Sequence, residues 1–112
     1  MAFIRGVNLG SYLVPEQWMV PSFYEGTNAT SLCALSLQHP VLATERMQRH
    51  LDSFVGAADF AWLAEQGFNA VRVPLGWWNV VTSSDMWRDV GAGVAYAAGP
   101  YESLRAIDRL FE

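Results

Sequence analysis

Apolar residues fall into blocks along the 112-residue chain, and the blocks differ in period. Phe3 to Leu9 is a short apolar stretch interrupted by Arg5, Gly6 and Asn8, and it reads as a strand running into a turn at Gly10. Leu13 to Tyr24 carries Pro15, Trp18, Pro21, Phe23 and Tyr24. Two prolines six residues apart forbid a regular central strand or a long helix, so this segment reads as an ordered loop packed on its own aromatics. Thr44 to Leu51 has a helical pattern, with Thr44 as N-cap and Glu45 in the first turn. Ala57 to Gln66 is a second helix with Phe60, Leu63 and Ala64 on one face, and Gly67 is its stop signal. Phe68 to Leu75 is nearly continuous in apolar residues and rich in valine, the pattern of a strand buried on both faces of a parallel sheet. Pro74 ends its ladder. Ser83 to Gly99, with Gly91, Gly93 and Gly99, reads as a loop. Tyr101 to Glu112 is helical again, with Tyr101, Leu104, Ile107 and Phe111 on one face.

Helix, glycine and buried strand in succession make the repeat unit of an α/β fold. The pattern predicts Phe68–Pro74 as a strand parallel to Ile4–Leu9, with the helix near Ala57–Gln66 covering one face through a right-handed crossover. Two strands do not make a stable parallel sheet with both faces covered. The apolar stripe of the last helix still runs at Phe111. The expectation is therefore the front part of a larger α/β domain, with no second domain and no linker inside residues 1–112.

Composition narrows the function classes. Hydrophobic residues make up 52% and charged residues 16%, a core-rich balance that excludes a disordered tail. The net charge of -4 comes with seven arginines, no lysine and no basic cluster, which argues against nucleic-acid binding. Cys33 is the single cysteine, so no internal disulfide or thiolate metal cluster can form. No apolar run reaches the roughly 18 residues of a membrane span, and Met1 to Gly10 does not read as a signal peptide. His39, Glu45 and His50 do not have the spacing of H-E-x-x-H, no glycine-rich phosphate loop follows a strand, and no nucleophile elbow surrounds Ser11 or Ser53. Asn28-Ala29-Thr30 is an N-glycosylation sequon.

Arg5-Gly6-Val7-Asn8-Leu9-Gly10 and its continuation Ser11 to Ser22 resemble the opening of glycoside hydrolase family 5, in the group of eukaryotic exo-β-1,3-glucanases, whose pattern is R-G-V-N-L-G-G-W-[LF]-V-L-E-x-[WY]-[MI]-T-P-S. A second block, His50 to Phe60 followed by Gly67-Phe68-Asn69-Ala70-Val71-Arg72-Val73-Pro74-Leu75-Gly76-Trp77-Trp78, is similar to H-W-x-T-[FW]-[IV]-T-E-x-D-F and G-[LF]-N-x-V-R-[IV]-P-[IL]-G-[YW]-W. A third, Gly99-Pro100-Tyr101-Glu102-Ser103-Leu104, resembles P-Y-x-x-L. The blocks keep order and spacing along nearly the whole chain. The departures are Ser11-Tyr12 for Gly-Trp, Leu51 for the Trp after His50, and Gly56-Ala57 for Thr-Glu.

The resemblance implies the N-terminal part of a TIM (β/α)₈ barrel, about the first two to three βα units, since the whole barrel takes about 250 residues. It implies retaining hydrolysis of β-glucan by two glutamates, an acid/base in an Asn-Glu-Pro motif and a nucleophile further on. Neither is expected within residues 1–112, and no Asn-Glu-Pro occurs there. No cofactor and no metal are implied, because two carboxylates suffice. The partner implied is a β-glucan or oligosaccharide, with glucose released from chain ends, and the setting is extracellular or cell-wall. By the same resemblance Glu16, Trp18, Arg72 and Trp78 are substrate-site wall: Glu16 bonds sugar hydroxyls, Trp18 borders the same subsite, and Arg72 holds the nucleophilic carboxylate ionised. Trp77 and Trp78 share the position after the strand, and Asn8 ends the first strand, where an Asx turn competes with a role in the cleft. The residues by themselves leave two other readings open: a non-catalytic carbohydrate-binding segment with the same wall, and a small α/β interaction domain that dimerises over its open sheet.

Overall fold

The computed structural model describes residues 3–76 together with Asn79, Asp108 and Arg109. The elements are strand β1 (Gly6–Asn8), a 3-10 turn (Pro21–Tyr24), helices α1 (Leu32–Gln38), α2 (Pro40–Ser53) and α3 (Ala57–Glu65), and strand β2 (Ala70–Arg72). The loop and helix expected over Ser83–Glu112 lie outside the described residues, apart from Asp108 and Arg109, which are helical.

β1 and β2 pair in parallel, with Gly6 opposite Ala70, Val7 opposite Val71 and Asn8 opposite Arg72. The ladder runs beyond the strands at both ends. Leu9 N–H donates to the Arg72 carbonyl (2.8 Å) and Asn69 N–H to the Arg5 carbonyl (2.9 Å). The Asn69 amide adds two bonds across the pair, accepting Arg5 N–H at 2.8 Å and donating to the Phe3 carbonyl at 2.9 Å. The parallel pairing follows the apolar pattern, but each strand is three residues long where seven or eight had the right composition. β2 is also not buried on both faces: Val71 is 39% exposed and Arg72 is exposed. The core of the described residues lies elsewhere, so the sheet has little packed against it.

That core is built from Leu9, Tyr12, Leu13, Phe23, Tyr24, Ala29, Leu32, Leu35, Ala43, Met47 and Leu51. α1 was not expected from the pattern. Its cap is legible in hindsight: Ser31 Oγ accepts Ala34 N–H at 3.1 Å, and Leu32 and Leu35 point inward three residues apart. His39 closes α1, and Pro40 opens α2 at the first helical position, where its missing N–H costs nothing. α2 therefore starts four residues before Thr44. Thr44 does not cap it, and Glu45 is not in the first turn; the Thr44 hydroxyl donates back to the Pro40 carbonyl at 3.0 Å. Ala43, Met47 and Leu51, spaced by four, form its buried stripe.

Gly56 is the N-cap of α3, and its N–H donates to Asp59 Oδ2 at 2.8 Å, the half of a capping box that needs no cap side chain. Gly67, at φ +88°, ends the α3 segment in the left-handed conformation that favours glycine. Phe60 and Leu63 are half-buried while Ala64 and Trp62 are exposed, so α3 presents part of its apolar surface outward.

The Leu13–Tyr24 loop is ordered by three kinds of contact. Phe23 and Tyr24 meet edge to face at 5.1 Å. The buried Tyr24 hydroxyl donates to the Pro15 carbonyl. Arg46 on α2 donates to the Phe23 and Glu25 carbonyls at 2.8 and 2.7 Å. Trp18 is the exception to aromatic self-packing, since it is 74% exposed.

Candidate functional site

The carboxyl ends of β1 and β2 and the loop after β1 enclose an open cleft of about 830 Å³. Asn8, Glu16, Trp18 and Arg72 line it, with Met19 and Gly10 beside the loop and Phe54, Asp59 and Trp62 on the side of α3. Three of the four residues singled out in the sequence, Glu16, Trp18 and Arg72, are thus brought into one cleft from positions 56 residues apart at the extremes. Trp78, like Trp77, lies outside the described residues.

Each wall has a different support. Arg72 closes β2, and its Cα is paired with that of Asn8 at the end of β1. Arg72 Nη1 lies 3.4 Å from Asn8 Oδ1, a long and weak hydrogen bond, so the guanidinium remains at the cleft surface. Asn8 therefore faces the arginine. Among the described residues the ion pair is between Arg109 and Asp52 at 3.1 Å, away from Arg72.

The opposite wall is a tight turn. Glu16 accepts Met19 N–H at 3.1 Å and Val20 N–H at 2.9 Å through its carbonyl. Its carboxylate accepts Trp18 Nε1–H at 2.8 Å, which fixes the indole beside the acid. Its own N–H donates to Ser11 Oγ at 3.1 Å. Ser11 is 2% exposed and has φ +59°, the left-handed region that non-glycine residues seldom enter. The resemblance described above places a glycine at this position, which such a φ suits.

His50, in the last turn of α2, supports that turn from behind. Its Nε2 lies 2.6 Å from the Ser11 carbonyl, and its ring is stacked on Phe54 at 4.4 Å and meets Phe23 edge-on at 5.6 Å. Burial lowers its pKa, against the opposing effect of the hydrogen bonds to the Ser11 and Tyr12 backbone. The neutral ring then donates from Nε2. Burial also pushes the Tyr24 phenol up to about 12, with the Glu16 carboxylate adding to the rise. Tyr12 is raised as well, by burial first, with Arg109 opposing and Asp52 reinforcing.

Chemically, the cleft offers a carboxylate acceptor, guanidinium and amide groups, and an exposed indole face. That set can exchange hydrogen bonds with hydroxyls and cover a flat ring, which suits a polyhydroxylated ligand. Trp62 and Met19 were not singled out in the sequence. Trp62 is 57% exposed, and a tryptophan two residues after Phe60, off the helical face that Phe60 shares with Leu63, was the available signal. A second hollow of about 450 Å³ also touches Glu16 and Trp18 and reaches Thr30, Ser31 and the half-buried Cys33. No helix among the described residues is long and apolar enough to cross a membrane.

Comparison with known proteins finds relatives over part of the chain. The chain is 39% identical over 79 residues to "Probable glucan 1,3-beta-glucosidase A" of Emericella nidulans, covering 67% of this chain and 19% of that protein. It is 40% identical over 80 residues to "Probable glucan 1,3-beta-glucosidase" of Arthroderma benhamiae, covering 70% and 19%. It is 37% identical over 92 residues to "Glucan 1,3-beta-glucosidase I/II" of Saccharomyces cerevisiae, covering 73% and 20%. The chain spans about a fifth of the length of the curated relatives it matches. No protein-family model matches the chain, and no solved structure matches it significantly.

Proposed function

We propose that this chain is the N-terminal part of a retaining glycoside hydrolase of family 5, a (β/α)₈ barrel acting on β-1,3-glucan, and that it supplies substrate-site wall. The observation that carries the reading is the convergence of Glu16, Trp18 and Arg72 on one cleft at the carboxyl ends of two paired parallel strands. In a barrel, that end of the strands holds the active site. The names and identities of the relatives support the substrate class.

In this reading Glu16 accepts hydrogen bonds from sugar hydroxyls, and Trp18, fixed by its own bond to Glu16, covers a sugar face. Arg72 faces a nucleophilic glutamate supplied by a later part of the protein. Its positive charge stabilises the ionised carboxylate, which attacks the anomeric carbon, while a second glutamate protonates the leaving oxygen and then activates water. Residues 1–112 hold neither Asn-Glu-Pro nor, in this reading, either catalytic carboxylate.

The test is the coding sequence beyond Glu112 and the full-length protein it encodes. An Asn-Glu-Pro motif about 60–100 residues on, the spacing of the next two βα units of a barrel, and release of glucose from laminarin are expected. The isolated 112-residue chain should release none. Binding of laminari-oligosaccharides by the full-length protein without hydrolysis would replace this reading with a non-catalytic carbohydrate-binding role. Failure to bind them at all would refute both.

A further inference from the structure

We infer that Ser11 is a positioning residue of the cleft: its left-handed backbone, held by His50, aims a hydroxyl that fixes Glu16. A non-glycine residue at φ +59° is strained, and glycine would adopt the same conformation freely. A buried strained residue persists only where its surroundings over-determine it. Here they do so from two sides. His50 Nε2 meets the Ser11 carbonyl at 2.6 Å, and the His50 ring is itself held between Phe23 and Phe54. On the other side, Ser11 Oγ accepts Glu16 N–H at 3.1 Å.

What serine offers over glycine is that acceptor. The Glu16 carbonyl already takes Met19 and Val20 N–H, so the bond from Ser11 holds the residue by its other backbone group. With both groups tied, the Glu16 side chain and the Trp18 indole bonded to it keep one orientation toward the cleft. The chain His50, Ser11, Glu16, Trp18 thus connects a helix in the core to the most exposed aromatic of the cleft. The role toward substrate rests on the glucan-hydrolase reading; the role toward Glu16 rests on the geometry alone.

The experiment compares Ser11→Gly, Ser11→Ala and Ser11→Asn in the full-length protein, by hydrogen exchange of the Glu16 amide, melting temperature and kinetics on laminari-oligosaccharides. Ser11→Gly removes both strain and acceptor. It should hold or raise the melting temperature, speed exchange of the Glu16 amide about two- to tenfold, as loss of one hydrogen bond implies, and raise KM by a similar factor with kcat little changed. Ser11→Ala keeps the strain and loses the acceptor, so it should show the same exchange and KM changes with a lower melting temperature. Ser11→Asn tolerates the left-handed region and brings back an acceptor, so it should recover part of both. Unchanged Glu16 exchange in Ser11→Gly and Ser11→Ala overturns the proposal, as does a drop in melting temperature with KM untouched. If the full-length protein neither binds nor cleaves β-glucan, the earlier reading fails, and the exchange measurement still decides the role of Ser11.

Discussion

Tyr24→Phe removes one oxygen and leaves the ring in place, so it isolates the bond that ties the core to the residue before Glu16. Tyr24 is 3% exposed, and its hydroxyl donates to the carbonyl of the buried Pro15. Without it, that carbonyl loses its donor in a water-poor site, a cost of about 1–3 kcal/mol. The penalty should depend on pH in a way packing alone does not. The Tyr24 phenol is raised to about 12 in the fold, against about 10 in an unfolded chain. A raised pKa contributes stability that is complete below pH ~10 and is lost as pH climbs through ~12. At pH 11 the unfolded tyrosine is largely ionised and the folded one is not, so the wild type loses about 1.3 kcal/mol through this group. The phenylalanine variant has nothing there to ionise. The difference between the two proteins should therefore shrink by about 1.3 kcal/mol between pH 8 and pH 11, while Tyr12 titrates equally in both. Urea unfolding of the full-length protein, followed by tryptophan fluorescence at the two pH values, measures it. A penalty below about 0.5 kcal/mol at pH 8, or one that is the same at both pH values, would refute the reasoning.

Three further outcomes are expected. His50 has its pKa lowered in the fold, so its contribution is complete above pH ~6.5 and is lost as pH falls through that value toward the lower folded pKa; His50→Gln should flatten that acid limb in denaturation midpoints taken from pH 5 to 8. Ser31→Ala deletes the N-cap of α1 and should cost about 0.5–2 kcal/mol in urea unfolding, with Ser31→Asp close to wild type. Arg72→Ala in the full-length protein should lower kcat by about two orders of magnitude or more and move the acid limb of the pH–rate profile upward, with Arg72→Lys recovering little; lost stability with intact kcat would make the arginine structural.

How much of this was readable in the chain differs by element. The parallel pairing rests on Val71 and Val73 beside a glycine stop at Gly67, a local and regular signal, and the ends of α3 follow the same logic. α1 escaped because its seven residues are too few to show a period, and because Ser36, a polar side chain, is buried on its inner face. The start of α2 escaped because Thr44 is as good a cap by type as any residue near it, while the chain uses His39 and the proline after it. The cleft residues were legible through the resemblance of two sequence blocks, which put Glu16 in the loop after β1 and Arg72 at the end of β2. Their supports were not. The φ of Ser11 and the reach of His50 across 39 residues depend on tertiary packing, which no spacing in the sequence encodes.

Every residue of the apolar core among those described falls between Leu9 and Leu51, inside the connection that joins β1 to β2. The two walls of the cleft therefore differ in mechanical footing. The Glu16 wall is anchored in that core through Ser11, His50 and Tyr24, and can move only if the core loosens. The Arg72 wall rests on a short ladder, the Asn69 amide and the half-buried Val73 at the edge of that core, so its rupture exposes less apolar surface than loosening the core does. Opening fluctuations should accordingly be one-sided, with the strand ends swinging while the acid and its indole stay still. A ligand gripped by both walls would tighten the arginine side far more than the glutamate side, and the gain in order on binding would be concentrated at β2.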